Sequence, residues 1–451
     1  VPAQSEASGA VKNDRRTIFG WAMYDWANSA YMTTTVGALL PAYFSDVMIP
    51  DGGYELFGRM YTGQTLWGYL IGGVAFIVFL VSPALGAIAD FSASKKRFLR
   101  AFAYGGSLFA TLLVFVGTGN VPLTMGLFFL SQVCFVSANV FYDGFLPDIS
   151  TSDTIDRVSA KGYAFGYIGG GLQFAIALLL ILFRARLGLS ATAAVQISLA
   201  MAGVWWFAFS TFAFTRLHET GAAQELPARY ADVPRVQAYL HLGYGRVWST
   251  LKKLLGFKQL LLFLVAFLIY NDGVQTMIGM ASAYSSDTLE ISTTGIMITF
   301  LVVQVVAFGG AYFFGWLASR IDARRAVVVA LGVYTLVAIA AFRLPVGELA
   351  PLIGLGAVIG VVQGGVQALS RSLYGSMIPE EASAEFYGFY SVLSKFSAIW
   401  GPIIFALVSD VSGSGRNAIL SLIVFFVVGG ILLSLVDVEE ARASRLRWTF
   451  E

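Results

Sequence analysis

Histidine and cysteine are scarce in this chain: His218, His241 and Cys134 are the only ones in 451 residues, and charged residues make up only 12%. One cysteine excludes an internal disulfide, and its apolar surroundings make it a small packing residue. Both histidines fall in one polar stretch, so histidine metal ligation and histidine proton relays are not expected inside the apolar segments. There is no GxxxxGK[ST] loop, which argues against a nucleotide-driven pump. The apolar runs also carry no Ser/His, Cys/His or paired-His arrangement, so an intramembrane enzyme lacks its parts. No Asn-X-Ser/Thr acceptor occurs, in keeping with a bacterial source.

Hydrophobic residues, by contrast, make up 57% of the chain, with 48 glycines and a mean hydropathy of +0.73. Too little polar surface remains to cover a soluble globule, so the class is polytopic membrane protein. The net charge of +2 is spread over segment ends and forms no patch for nucleic acid. The expected partners are the lipid bilayer and a small-molecule solute, with no cofactor, no metal and a monomeric chain.

Apolar runs of about 20 residues suffice to cross the bilayer. Such runs fall near 17–44, 63–89, 98–117, 122–146, 160–183 and 193–214, and again near 259–285, 294–318, 326–343, 350–377, 386–410 and 417–437. The predicted organisation is a polar tail over 1–16, which reads as a processed or expression-derived segment and not a signal peptide. Six helices over 17–214, a linker over 215–258, six helices over 259–437 and a tail over 438–451 follow. Within the linker, Val247, Leu251, Leu254 and Leu255 share a face opposite Lys252 and Lys253. An interfacial amphipathic helix and an ordinary linker helix both fit that pattern.

With both termini cytoplasmic, only Arg59, Arg184, Arg186, Arg343 and Arg416 of the 29 basic residues lie in outside loops. The positive-inside rule favours that orientation.

Internal repetition narrows the fold. GAIADFSASKKR (Gly86 to Arg97) joins helices two and three, and GWLASRIDARR (Gly315 to Arg325) joins helices eight and nine. SAKGYAFGY (Ser159 to Tyr167) is echoed by SAEFYGFY (Ser383 to Tyr390), and YDWANSAYMTT (Tyr24 to Thr34) by YNDGVQTM (Tyr270 to Met277). Two six-helix repeats of matching orientation describe the major facilitator fold. In the first loop Gly86 allows close helix approach, Asp90 accepts from a neighbouring helix end or arginine, and Lys95, Lys96 and Arg97 hold the loop at the anionic leaflet. In the second, Gly315, Arg320 and Arg324 keep the pattern, but Ser319 replaces the acid. The pair reads as a gating latch.

The strings WAMYDWANSAY, FYDGFLPDI, YNDGVQTM, QGGVQALSRSLYGSMIP and FYGFYSVLSKFSAIWGP resemble the vacuole-effluxer-like branch of the major facilitator superfamily. That resemblance implies a secondary transporter with amino-acid export as its nearest known activity.

Five ionisable residues remain inside apolar runs: Asp25, Asp143, Asp272, Arg371 and Lys395. Each costs about 2.5–3.5 kcal/mol on insertion scales, so a common water-filled path is expected to hold them. Helices one, four, seven and ten are expected to line it. Polar partners at four-residue spacing extend the stripes: Tyr24 and Asn28, Asn139 and Asp143, Asn271 with Asp272 and Gln275, and Gln363, Gln367 and Arg371. At about 1.5 Å per residue, Asp25 and Arg371 both sit roughly 12 Å from the cytoplasmic helix ends and are expected to meet. Asp272, about 20 Å into its helix, is the expected proton carrier, with Asp25 second. Acids for an ammonium and bases for a carboxylate suit a zwitterion. Sugars, peptides, organic anions, or a receptor or scaffold that moves nothing are the alternatives. Gly162, Gly166 and Gly170 offer a close-packing face that reads as either a sliding seam or static packing.

Overall fold

The computed structural model describes residues 12–50, 52–91, 94–151, 154–218, 230, 233–378, 386, 389–390, 393–394 and 396–444. Helix formation starts where Asp14 caps α1 (Arg15–Ala30): its carboxylate accepts the Thr17 amide at 2.8 Å and the Thr17 hydroxyl at 2.7 Å. The same rod continues through a π-helical stretch, Tyr31–Leu39, a short α2 (Leu40–Tyr43) and a second π-helical piece, Phe44–Met48. Long π-helical stretches are rare and gather at functional sites.

A two-stranded antiparallel hairpin, β1 (Tyr54–Leu56) and β2 (Arg59–Tyr61), follows. Then come α3 (Gly63–Phe91), α4 (Lys95–Leu112), α5 (Val121–Ile149), α6 (Ile155–Leu182) and α7 (Ala191–Phe214). The linker contains α8 (Arg235–Leu254). The second set is α9 (Lys258–Asp287), α10 (Thr293–Ile321), α11 (Ala323–Arg343), α12 (Leu349–Met377), α13 (Trp400–Ser412) and α14 (Gly415–Ser434), with α15 (Val438–Ser444) behind them. Among the described residues nine helices are long and apolar enough to cross a membrane, and two shorter apolar helices, Thr293–Ala307 and Trp400–Ser412, add to them. With the rod from Arg15 to Met48 they make up the twelve-helix major facilitator architecture.

The predicted eleventh helix, continuous from 386 to 410, is broken instead. The chain turns at Ser397–Ile399 and starts afresh at Trp400. Pro402 in the first turn of α13 explains the restart, because a missing N–H costs nothing there.

Glycines set the closest helix crossings. A Cβ on Gly169 would lie 2.4 Å from the Trp26 carbonyl, and one on Gly166 2.7 Å from Ser29 Oγ, so α6 lies directly on α1. That face packs within the first helix set. Between the sets, Gly68 and Gly72 of α3 take the same part against Pro402 and Ile403 of α13.

At the hairpin end the two sets are bonded to one another. The Ser282 and Ser286 hydroxyls on α9 donate to the Ala38 and Ala42 carbonyls of the irregular rod, and Trp67 Nε1 on α3 donates to the Gly279 carbonyl at 3.2 Å. Arg59 reaches Asp410 at 3.0 Å, Thr65 donates to Ser409 at 3.2 Å, and Thr288 donates to Gln64 at 3.0 Å. Towards the opposite end the rings of Phe79 and Phe396 meet at 4.5 Å.

Candidate functional site

Asp25 lies on α1 one turn before Ser29, whose hydroxyl its carboxylate accepts, and is half-buried under the glycine face of α6. Asp143 on α5 is exposed and within electrostatic reach of Asp25. Tyr163 on α6 lies in the field of both acids and of Arg371, whose guanidinium carbon sits 5.9 Å from its ring centre. Arg371 also reaches Tyr390, a half-buried ring stacked on Phe267 at 4.5 Å and on Tyr374 at 4.7 Å. Two acids, one guanidinium and two phenols from both helix sets are therefore linked by mutual electrostatic reach. A cation over a phenol face gains about 0.5–2 kcal/mol, which helps to orient the guanidinium.

The remaining candidates divide. Gln367 is exposed one turn before Arg371 on α12, and Gln363 is half-buried one turn further back. Asn28 donates to Asn139 at 2.9 Å, tying α1 to α5 behind the acids. Tyr24, expected beside Asn28 on a water-lined stripe, is turned inward instead: it is fully buried, its ring 5.1 Å from Tyr142 and 5.8 Å from Phe214. Trp21 causes that turn. It stacks on Tyr142 at 4.5 Å and donates to its carbonyl at 3.0 Å, so this side of α1 becomes packed core.

Asn271 and Asp272 on α9 address the break in the eleventh helix. Asn271 Nδ2 donates to Ser397 Oγ at 2.5 Å, and Asp272 Oδ1 accepts the Gly401 amide at 2.8 Å. The Trp400 amide also donates to this carboxylate. Asp272 thus acts as an N-cap supplied by a neighbouring helix, filling the role that a Ser or Asp within the chain usually fills. Only 3% of it is exposed, whereas Asp143 is exposed. Gln275, half-buried, lies one turn beyond Asn271 on the same helix. Lys395 lies outside the described residues, as do the surroundings of Gly86 and the side chain of Asp90.

The two basic loops bind within their own halves. Lys95 Nζ pairs with Asp148 at 2.8 Å and donates to the Gly144 carbonyl at 3.0 Å, near the end of α5. Arg324 donates to the Ser434 and Val436 carbonyls, near the end of α14. Each side chain meets the negative end of a helix dipole. Lys96 is half-buried and Arg97 exposed, and Arg320 stacks over Trp316 at 5.6 Å. Gly315 is exposed with open space at its Cβ position, so close approach is not what that glycine provides.

Tyr163 and Tyr390, central to the cluster, are absent from the predicted site. Their signal was the tyrosine echo between SAKGYAFGY and SAEFYGFY, read only as repetition. Among the described residues no group of three His, Cys, Asp or Glu is placed to hold a metal.

Comparisons with known proteins agree with this architecture. The MFS-type transporter YxiO of Bacillus subtilis is 31% identical across 93% of this chain and 94% of its own length. Autophagy-related protein 22-2 of Aspergillus niger is 24% identical across 96% of this chain and 91% of its own. A crystal structure of the nucleoside transporter NupG superposes with a TM-score of 0.62 at 14% identity, covering 93% of this chain and 98% of that one. A bacterial homologue of the human lysosomal transporter Spinster, inward-facing and occupied, gives 0.61 at 11% identity over 97% and 98%. At these identities the two structures establish the fold alone. Residues 13–445 match the family described as vacuole effluxer Atg22 like, and the chain belongs to that family of MFS-type transporters.

Proposed function

We propose that the chain is a secondary carrier that moves a zwitterionic solute, an amino acid, outward or in exchange by alternating access. Both termini face the cytoplasm of a bacterium, and the helix sets rock about the central space. The observation that carries this reading is the cluster around Tyr163. Arg371, over that ring at 5.9 Å, offers a guanidinium for a carboxylate, while Asp25 and Asp143 offer acids for an ammonium.

Proton coupling is assigned to Asp25, which lies against α6 beside Ser29 and within electrostatic reach of Asp143. Two acids so placed can take up and release one proton as the helix sets move. Asp272 serves the cycle through α13, whose first turn it caps, and does not contact the solute.

Counterflow in proteoliposomes, with each labelled amino acid on one side and unlabelled excess on the other, tests the proposal. The expected result is exchange of at least one amino acid, lost in Arg371→Ala. A pH gradient should drive net movement in the parent and fail to do so in Asp25→Asn, whose exchange persists through Asp143 at reduced affinity. Absence of exchange with every amino acid would overturn the substrate class. Gradient-driven movement in Asp25→Asn would overturn the coupling.

A further inference from the structure

Two cations and three phenylalanines form a line across α6, α1 and α7. Lys161 Nζ on α6 lies 5.8 Å from the Phe165 ring centre, and Phe165 meets Phe19 of α1 edge-on at 5.8 Å. Phe19 meets Phe212 of α7 edge-on at 6.3 Å, and the Arg216 guanidinium carbon lies 3.7 Å from the Phe212 ring centre. A cation thus closes each end of a three-ring ledge. The line faces outward: Lys161 and Phe165 begin a stripe on α6 that continues through Ile168, Leu172, Ile176 and Leu179 at three- and four-residue spacing, all four exposed. Tyr163 and Tyr167, which lie in the field of Asp25, project from the other side of that helix. An apolar stripe opposite the charged face of a membrane helix is its lipid side.

Helix ends fix the depth of the ledge. Ser190 caps α7, the helix closes at Thr215, and its 24 residues include no Asp, Glu, Lys or Arg. At about 1.5 Å per residue that length crosses roughly 30 Å of hydrocarbon, so Phe212 lies in the last turn of the span and Arg216 just beyond it. The first helix agrees: α1 starts at the Asp14 cap with Arg15 and Arg16 exposed, and Phe19 lies one turn further in. The rings therefore occupy the acyl boundary and the cations the headgroup level. Among the described residues neither Lys161 nor Arg216 enters an ion pair. Arg216 uses Nη1 on the Phe212 carbonyl and the Thr215 hydroxyl, which leaves Nε and Nη2 as donors.

We propose that this ledge binds a lipid with two phosphodiester groups, in the leaflet at which α1 begins. One phosphate meets Lys161, the other meets Arg216, and acyl chains cover Phe165, Phe19 and Phe212. The occupant is lipid because the rings lie within the depth of the hydrocarbon, on the exposed side of α6. It is acidic because both cations lack a carboxylate, and basic sites between membrane helices take such headgroups. It carries two phosphates because the cations stand over different rings on different helices, with Phe19 between them. Such a lipid clamps α6 and α7 against the start of α1, where a Cβ on Gly20 would already lie 2.7 Å from Arg216 Cβ.

Native mass spectrometry of the full chain, released from phosphatidylcholine nanodiscs doped with cardiolipin or with phosphatidylglycerol at equal phosphate, tests the proposal. The expected result is one retained cardiolipin, in preference to phosphatidylglycerol and phosphatidylcholine. Lys161→Gln and Arg216→Gln should each lower its affinity on the order of fivefold, and Lys161→Arg should bind as the parent does. Arg100→Gln, at an exposed arginine on α4, should leave retention unchanged. A photoactivatable acyl chain on the cardiolipin should label the peptides that hold Phe165 and Phe212. Equal retention of the two acidic lipids would overturn the two-phosphate fit. Full retention in the combined Lys161→Gln and Arg216→Gln variant, or labelling elsewhere, would place the lipid at another surface. Loss in Lys161→Arg would trace the effect to packing and overturn recognition by charge. Thermal protection by inorganic phosphate equal to that by cardiolipin would overturn the lipid in favour of a free anion.

Discussion

The carboxylate of Asp272 on α9 caps the first turn of α13, its Oδ1 2.8 Å from the Gly401 amide. The acid that sequence depth marks as a proton carrier is also the fastening of a broken helix. Removing it is expected to cost about 1–2 kcal/mol, the usual value of an N-cap. Asp272→Asn, which keeps an acceptor oxygen, should lose less than Asp272→Ala. Gly401→Ala should lose more than either, because its Cβ would fall 1.9 Å from Thr276 Oγ1. Thermal unfolding in detergent checks the order. Equal midpoints for Asp272→Ala and the parent would show that the cap carries no stability.

Solute recognition gives a second expectation. Arg371→Lys keeps the charge but loses the planar group over Tyr163, so affinity should fall by about tenfold, the low end of a lost oriented charged contact. A decarboxylated amine should bind the parent and Arg371→Ala alike. Calorimetry with the amino acid and its amine distinguishes direct contact from a structural role, since a structural defect would weaken both ligands.

The hairpin end supplies a third. Arg59 is 58% exposed and Asp410 9%, so screening limits their ion pair to about 0–1 kcal/mol. The Ser282 and Ser286 hydrogen bonds add about 0.6 kcal/mol each on the scale measured between membrane helices. Together they approach about 2 kcal/mol, roughly a thirtyfold shift in the population closed at this end. Arg59→Ala with Ser282→Ala and Ser286→Ala should lengthen the distance between spin labels at Met60 and Val411. A distance unchanged from the parent would mean that closure rests on packing alone.

Acid pH should loosen the start of α1. Hydrogen bonds from the Thr17 hydroxyl and amide hold the Asp14 carboxyl below its ordinary value of 3.8. Because the folded value is depressed, the cap is at full strength above 3.8 and is lost as pH falls through the folded value. Hydrogen exchange at the Thr17 amide should show protection retained to just below 3.8 and lost under it, with Thr17→Val shifting the loss upward. Protection independent of pH would remove Asp14 from the cap.

Much of this molecule was legible from residue order. Apolar length marked the spans, and paired basic loops gave the half-chain repeat. The cost of intramembrane charge singled out Asp25, Asp143 and Arg371, which the structure gathers around Tyr163. What escaped depends on rotation about helix axes. Periodicity shows that Asn271 and Asp272 are adjacent, not that they face α13, and it puts Tyr24 with Asn28 without knowing that Trp21 packs that side against Tyr142. The break at Ser397–Ile399 had a signal in Gly401-Pro402, overshadowed by the apolar run on both sides. The π-helical register of Tyr31–Leu39 had none, because its residues also suit an α-helix.

Trp400 opens α13, donates its amide to Asp272 and leaves its indole 53% exposed. The joint therefore carries its own fluorophore: selective replacement of the other indoles by phenylalanine would leave an emission that reports, in real time and without an attached dye, each bending of this segment.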